Sequence, residues 1–124
     1  MSTHEVELAH GPAASVVAVR LVDGTCPATD YLCDIRCRAR FQVRFDILAQ
    51  RGTLKTPELM RRLGGEVWEV KVADGPGRRA FGCWYGKVFV VTHAADKPKS
   101  GLVSTEIRRA NQLFAYWRRQ EGLT

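Results

Sequence analysis

The sequence predicts an α+β domain with elements in the order β-α-α-β-β-β-α, a small, mostly antiparallel sheet packed against helices. Three observations predict it. Between Val67 and Thr92 lie three β-rich runs, VWEVKV, RRAFGCW and KVFVVT, joined by turns so short that the strands must be antiparallel neighbours. Cys37, Phe41, Phe45 and Leu48 form an apolar stripe at helical spacing, and Ile107, Ala110, Phe114 and Trp117 form a second.

The chain of 124 residues suits one domain, 45% hydrophobic and 26% charged, which excludes disordered, collagenous and mini-protein classes. No apolar run approaches the ~18 residues of a membrane-spanning helix. Glu5 and Glu7 interrupt any basic-then-apolar leader pattern, so a cytoplasmic protein without a membrane partner is expected. Nineteen Lys and Arg against thirteen Asp and Glu leave a net charge of +6, and fourteen of the cations are arginine, the residue whose planar fork pairs with phosphate. The surplus is local: residues 31–62 and 97–119 each carry +5, while 63–96 are neutral and 1–30 carry −3. An anionic partner is the first expectation.

Residues 1–14 show no sustained periodicity and predict a poorly ordered arm ending at Gly11-Pro12, with the domain proper over 15–124. Ser15 to Val22 is β-branched and predicts a strand closed by the Asp23-Gly24 turn. Thr29 or Asp30 can cap a short helix continuing through Tyr31, Leu32 and Ile35. From Ile35 to Leu48 two periods compete. Apolar residues alternate as in a strand, yet the helical stripe, the length and the stop at Gly52 favour a helix. Thr56-Pro57-Glu58 opens a short connector that ends at Gly64-Gly65. Strands follow over Val67–Val72, Arg78–Trp84 and Lys87–Thr92, then a loop from His93 to Val103, then a helix from Ser104 or Thr105 with Glu106 in its first turn.

Cys26, Cys33, Cys37 and Cys83 contain no Cys-x-x-Cys pair. Cys33 and Cys37 stand one helical turn apart, which permits zinc and equally suits two small buried apolar groups; free thiols are the expectation, with no metal. Phosphate-loop, dinucleotide, nucleophile-elbow and zinc-protease motifs are all missing from the sequence.

What remains is a set of cations on or beside the sheet: Lys71, Arg78, Arg79, His93, Lys97 and Lys99. Trp68, Val70 and Val72 share one face of their strand, leaving Lys71 on the other, and Arg79 follows on the next strand. Such a cluster suits RNA cleavage by a ribose 2′-hydroxyl. The pentacoordinate phosphorane needs cations, which Arg79 and Lys71 supply, and a proton carrier, for which His93 is the candidate. The plainer reading is a solvated charged face. Trp84 and Tyr85, at a hairpin tip, are the candidate base-stacking residues, whereas Trp68, Phe81, Phe89, Phe114 and Trp117 sit on core periodicities.

Several segments together carry a resemblance. They are Gly24-x-x-Pro27-x-x-x-Tyr31-Leu32, Ile47-Leu48-Ala49-x-x-Gly52, Leu63-Gly64-Gly65-Glu66-Val67-Trp68-Glu69-Val70-Lys71-Val72, Arg79-Ala80-Phe81, Lys87–Thr92, His93, Lys97 and Glu106-Ile107. Over about residues 15–119 the chain resembles the phage-derived, HigB-like branch of the RelE/ParE toxin superfamily. The resemblance implies a RelE-like fold and the toxin of a type II toxin–antitoxin pair. Such a toxin is an endoribonuclease that cuts messenger RNA on the ribosome with no metal or cofactor, and its partner is a cognate antitoxin, commonly a helix-turn-helix protein of the HigA kind. By position, Lys71 takes the place of the strand's basic residue, Arg79 that of the next strand's arginine, His93 that of the histidine before the last loop and Lys97 that of the loop's first lysine.

The chain departs from the pattern where Ala94-Ala95 replaces Gly-Phe, Pro98 replaces a lysine, Val103 replaces a proline and Gly82 stands in place of tyrosine. These departures keep two other readings open: a toxin-fold protein that binds and inhibits without cutting, and a gyrase-directed toxin of the ParE kind.

Overall fold

A computed structural model describes residues 3–33, 36–54, 59–73, 77–98 and 102–123. The elements in chain order are β1 (Glu5–His10), β2 (Ser15–Val19), α1 (Pro27–Cys33), α2 (Arg38–Arg51), β3 (Met60–Gly64), β4 (Val67–Val72), β5 (Arg78–Tyr85), β6 (Val88–Asp96) and α3 (Val103–Gln120). One six-stranded sheet runs β1-β2-β6-β5-β4-β3. Its pairings are antiparallel except β2 with β6, where Ser15 to Ala18 lie in parallel register with Val88 to Val91. The fold class is α+β as the sequence predicts.

Alternation along the strands sorts apolar side chains onto two faces. On one face Val16, Ala18, Val70, Val72, Ala80, Phe89 and Val91 meet Leu32 of α1 and Phe41, Phe45 and Leu48 of α2. Phe41, Phe45 and Leu48 are essentially fully buried, and each contributes about 2 kcal/mol of apolar burial. On the other face Val17, Val19, Val67, Phe81, Cys83 and Val90 meet Ala110, Phe114 and Trp117 of α3. The Ile35 to Leu48 ambiguity resolves as a helix from Arg38, stopped by Gly52, which is left-handed at φ 77° and whose N–H donates to the Leu48 carbonyl at 2.7 Å. Ile35, Thr56, Pro57 and Glu58, which the sequence places in the first helix and the connector, lie outside the described residues.

Two strands were not expected. The supposed arm contains β1, which pairs with β2 from Glu5↔Val19 to His10↔Ser15 and turns at Gly11-Pro12. It is an edge strand whose Glu5-Val6-Glu7-Leu8 alternation keeps one side polar, and Ala9-His10 ends the pattern after only four residues. The supposed connector contains β3, a hairpin partner of β4 through Met60↔Val70 and Arg61↔Glu69. Its adjacent Arg61 and Arg62 break the period-two pattern. The last strand also runs on to Asp96 instead of stopping at Thr92, and the first stops at Val19 instead of Val22.

Candidate functional site

The α3 face of the sheet carries a row of residues in register across four strands: Arg61, Glu69, Phe81 and His93. Glu69 is a carboxylate at an inward position and only 2% exposed. Burial without partners would be costly, and two arginines compensate it. Arg61 Nε donates to Glu69 Oε1 at 2.7 Å, and Arg79 Nε faces Oε2 at 3.5 Å.

At the other end of the row His93 is fully buried, stacked on Phe81 with ring centroids 4.7 Å apart. Its Nε2 lies 3.1 Å from Glu106 Oε2 in the first turn of α3, and its Nδ1 lies 3.1 Å from the Thr92 hydroxyl. That hydroxyl also reaches the Phe81 carbonyl at 3.2 Å, so its one proton serves one acceptor at a time. Burial, opposed by the Glu106 carboxylate and reinforced by the Arg109 charge, holds His93 below the ordinary histidine range. His93 is therefore a neutral ring within β6 that fastens α3 to the sheet. The sequence ends this strand at Thr92 and opens a loop at His93; the strand instead continues past His93 to Asp96, and Glu106 closes over the ring.

One register step beyond that row, Lys71 pairs with Arg79 and Arg79 with Ala95. Arg79 is largely buried and Lys71 half-buried, and the Lys71 ammonium has no ion-pair partner among the described residues. Arg79 is held on three sides: its Nε faces Glu69, its Nη1 donates to the Arg78 carbonyl at 3.1 Å, and Gly77 lies beneath it. Gly77 has φ +96°, and a Cβ there would stand 3.1 Å from Arg79 Nη1 and 3.4 Å from Lys97 Cβ. Glycine both permits the turn and lets Arg79 and Lys97 flank one spot. Lys97 is anchored there by its N–H donating to the Gly77 carbonyl at 2.9 Å, and its own side chain is exposed. Lys71 and Lys97 thus each neighbour Arg79, and Glu69 and Arg61 join the same face. Lys99 lies outside the described residues.

Other expected members are elsewhere. Arg78 follows Arg79's neighbour rule in reverse and points to the opposite face, where it donates to Tyr31 Oη at 3.0 Å and pairs with Asp96. The Tyr31 hydroxyl in turn donates to Asp96 and, ahead of the smaller Arg78 contribution, holds that carboxyl below its usual range. This knot ties α1 to β6. Trp84 and Tyr85 lie at the far end of β5, roughly 17–20 Å of strand from Arg79. Trp84 packs on Phe89 at 5.0 Å on the α1 and α2 face, while Tyr85 packs on Trp117 at 5.9 Å under α3, with Arg118 over its ring. They are packing residues and do not line the cation cluster.

Glu69 shares Lys71's face of the strand by alternation, an inward acid that the charge pattern alone does not single out. A lone acid at alternate spacing between apolar strand residues is the signal for it. Arg61 was hidden in the supposed connector. Gly82, in place of the family's tyrosine, has a physical reason: a Cβ there would stand 2.6 Å from the Val90 carbonyl oxygen and 2.7 Å from the Phe89 ring. Phe89 occupies the space a side chain would need.

Cys83 is buried against α3, and that burial pushes its thiol up to about 12. Cys37 turns into the core and Cys33 to solvent, so the two do not share one environment.

The chain was compared with known proteins. Residues 33–115, more than half of the chain, match the family model described as Phage derived protein Gp49-like (DUF891). No curated protein and no solved structure matches. The matched span runs from Cys33 at the end of α1 to Ala115 of α3 and so contains every residue of the cation cluster. The chain belongs to the Gp49-like family of phage-derived proteins, a RelE-type, toxin-like family.

Proposed function

We propose that the protein is the toxin of a type II toxin–antitoxin pair, of the HigB-like kind, and that it cleaves messenger RNA on the ribosome. The observation that carries this reading is the cross-strand pair of Lys71 and Arg79, an ammonium with no ion-pair partner among the described residues beside a guanidinium held by a buried carboxylate. In the reaction a ribose O2′ bonds to the adjacent phosphorus as the P–O5′ bond breaks, leaving a 2′,3′-cyclic phosphate and a 5′-hydroxyl. The phosphorane between them carries extra negative charge, which Arg79, held by Glu69, meets without reorganising, with the Lys71 ammonium beside it. The O2′ proton passes to water, and the Lys71 ammonium donates to the departing O5′. Lys97 steers the backbone toward the pair. His93 is assigned a positioning role, holding α3 beside the cluster through Glu106.

The partner in this reading is a cognate antitoxin of the helix-turn-helix, HigA-like kind, and the site of action is the cytoplasm, where translated messenger RNA is found. Among the described residues no helix is long and apolar enough to cross a membrane.

Induced expression of wild type and Arg79→Ala, with mapping of new 5′-hydroxyl ends in ribosome-bound messenger RNA, tests the proposal. Ends that appear with wild type and vanish with the variant support it; equal ends from both proteins overturn the assigned site. A second reading, a toxin-fold protein that inhibits by binding, is favoured by the sealed position of His93, which leaves the cluster without an imidazole. Growth arrest with no new ends selects that reading.

A further inference from the structure

The cation cluster has a neighbour around the edge of β4 that no comparison and no expectation from the sequence assigns. Arg40 and Arg44 stand one turn apart on α2 and reach to the β4 backbone. Arg44 Nε donates to the carbonyl of Lys71 at 2.9 Å, and Arg40 Nη1 donates to the carbonyl of Ala73 at 2.8 Å. The Lys71 N–H is bonded to the Leu59 carbonyl at 2.8 Å, while the Lys71 and Ala73 carbonyls take their hydrogen bonds from the two arginines. Neither guanidinium has a carboxylate partner among the described residues. Burial, and after it the like charge of Arg40, holds Arg44 below the ordinary guanidinium value. Two like charges are thus pinned side by side, with donor atoms to spare on each fork. Between them lies a depression of about 340 Å³ lined by Arg40, Val43, Arg44, Val72 and Ala73. Its floor is apolar, and Val43 is 54% exposed.

We infer that Arg40 and Arg44 form a second phosphate-binding station for single-stranded RNA, which passes from Lys71 over the β4 edge onto α2. The inference rests on the RNA reading of the Lys71 and Arg79 pair and extends it. Forks oriented by backbone carbonyls match the planar, bidentate geometry of a phosphodiester, and the apolar floor accepts a ribose or base face. The link to the cluster is direct, because Arg44 is bonded to the carbonyl of the same residue whose ammonium faces the proposed scissile phosphate.

The test is anisotropy of a labelled single-stranded RNA of about 12 nucleotides over a salt series. Wild type, Lys71→Gln, Arg40→Gln/Arg44→Gln and Arg40→Lys/Arg44→Lys are compared, with melting temperatures alongside. Each phosphate contact on a single strand adds about 0.7 to the slope of log affinity against log salt, so the double Gln variant should lose about 1.4 and bind at least ~10-fold more weakly at low salt. The double Lys variant keeps the charge and should keep the slope while losing affinity with the fork, which separates binding from any fault in folding. If wild type binds and yields 5′-hydroxyl ends while the double Gln variant keeps its slope, the edge path is overturned and the proposed function stands. The same holds if the double Gln variant loses only a protein partner. If wild type neither binds this RNA nor yields such ends, the RNA reading has failed and this station fails with it.

Discussion

Arg79 Nε faces Glu69 Oε2 at 3.5 Å across the β4–β5 ladder, an arginine 12% exposed beside a carboxylate 3% exposed. Removing the carboxylate leaves a largely buried guanidinium without its counter-charge, whereas Arg61, 54% exposed, can turn to water. Glu69→Gln is therefore expected to destabilise the fold by roughly 3 kcal/mol, read as a urea midpoint shift. In a cleavage assay at a temperature where the variant stays folded, its rate should fall with Arg79→Ala, because the fork loses its orientation.

Lys71 has the opposite character. It is half-buried on an open row with no ion-pair partner among the described residues, so Lys71→Gln should leave the melting temperature within about 2 °C of wild type. The production of 5′-hydroxyl ends should drop by about 100-fold, the usual cost of losing one charge-stabilising donor. A large stability loss with intact cleavage would place Lys71 in the scaffold.

His93 makes stability depend on pH. Below about 6.5 the unfolded chain protonates this ring while the folded ring, held lower mainly by burial, resists. The unfolded state then binds more protons, so stability rises with pH and is lost as pH falls below about 6.5, at up to ~1.4 kcal/mol per pH unit. Urea midpoints between pH 5 and 8 should show this slope in wild type and a flatter one in His93→Gln. His4 and His10 are present in both proteins and cancel.

Gly82 admits no side chain. Gly82→Ala places a Cβ 2.6 Å from the Val90 carbonyl oxygen and should cost about 1–3 kcal/mol, and Gly82→Tyr more. Combining Gly82→Ala with Phe89→Leu removes the ring clash, and a double-mutant cycle should return a favourable coupling.

The thiols should react in order of exposure. Cys33 is exposed, while Cys83 is buried with its thiol pushed up to about 12. Mass spectrometry after brief iodoacetamide treatment at neutral pH should find Cys33 modified and Cys83 untouched until denaturant is added.

Most of the architecture is legible in the sequence because burial writes itself as periodicity: the α2 and α3 stripes and the central strands all carry it. The two edge strands are less so: Glu5-Val6-Glu7-Leu8 alternates for only four residues before the Gly11-Pro12 turn, and the adjacent Arg61 and Arg62 break the period in the other. Likewise a cation alternating out of an apolar strand points to Lys71, and the following hairpin to Arg79. Depth is what a sequence conceals. Whether His93 ends a strand or lies inside one depends on how far β6 stays paired with β5, and its burial on a contact with Glu106 across thirteen residues that only packing settles.

The parallel pairing of β2 with β6 also sets an order of events. Every other ladder joins strands adjacent in the chain, but Ser15 to Ala18 must wait for Val88 to Val91. Closing so long a loop is entropically slow and belongs late in folding. During synthesis the β1–β2 hairpin therefore emerges without its neighbour. The six-stranded sheet is completed only when most of the polypeptide has left the ribosome, so the edge of β2 stays open until β6 arrives.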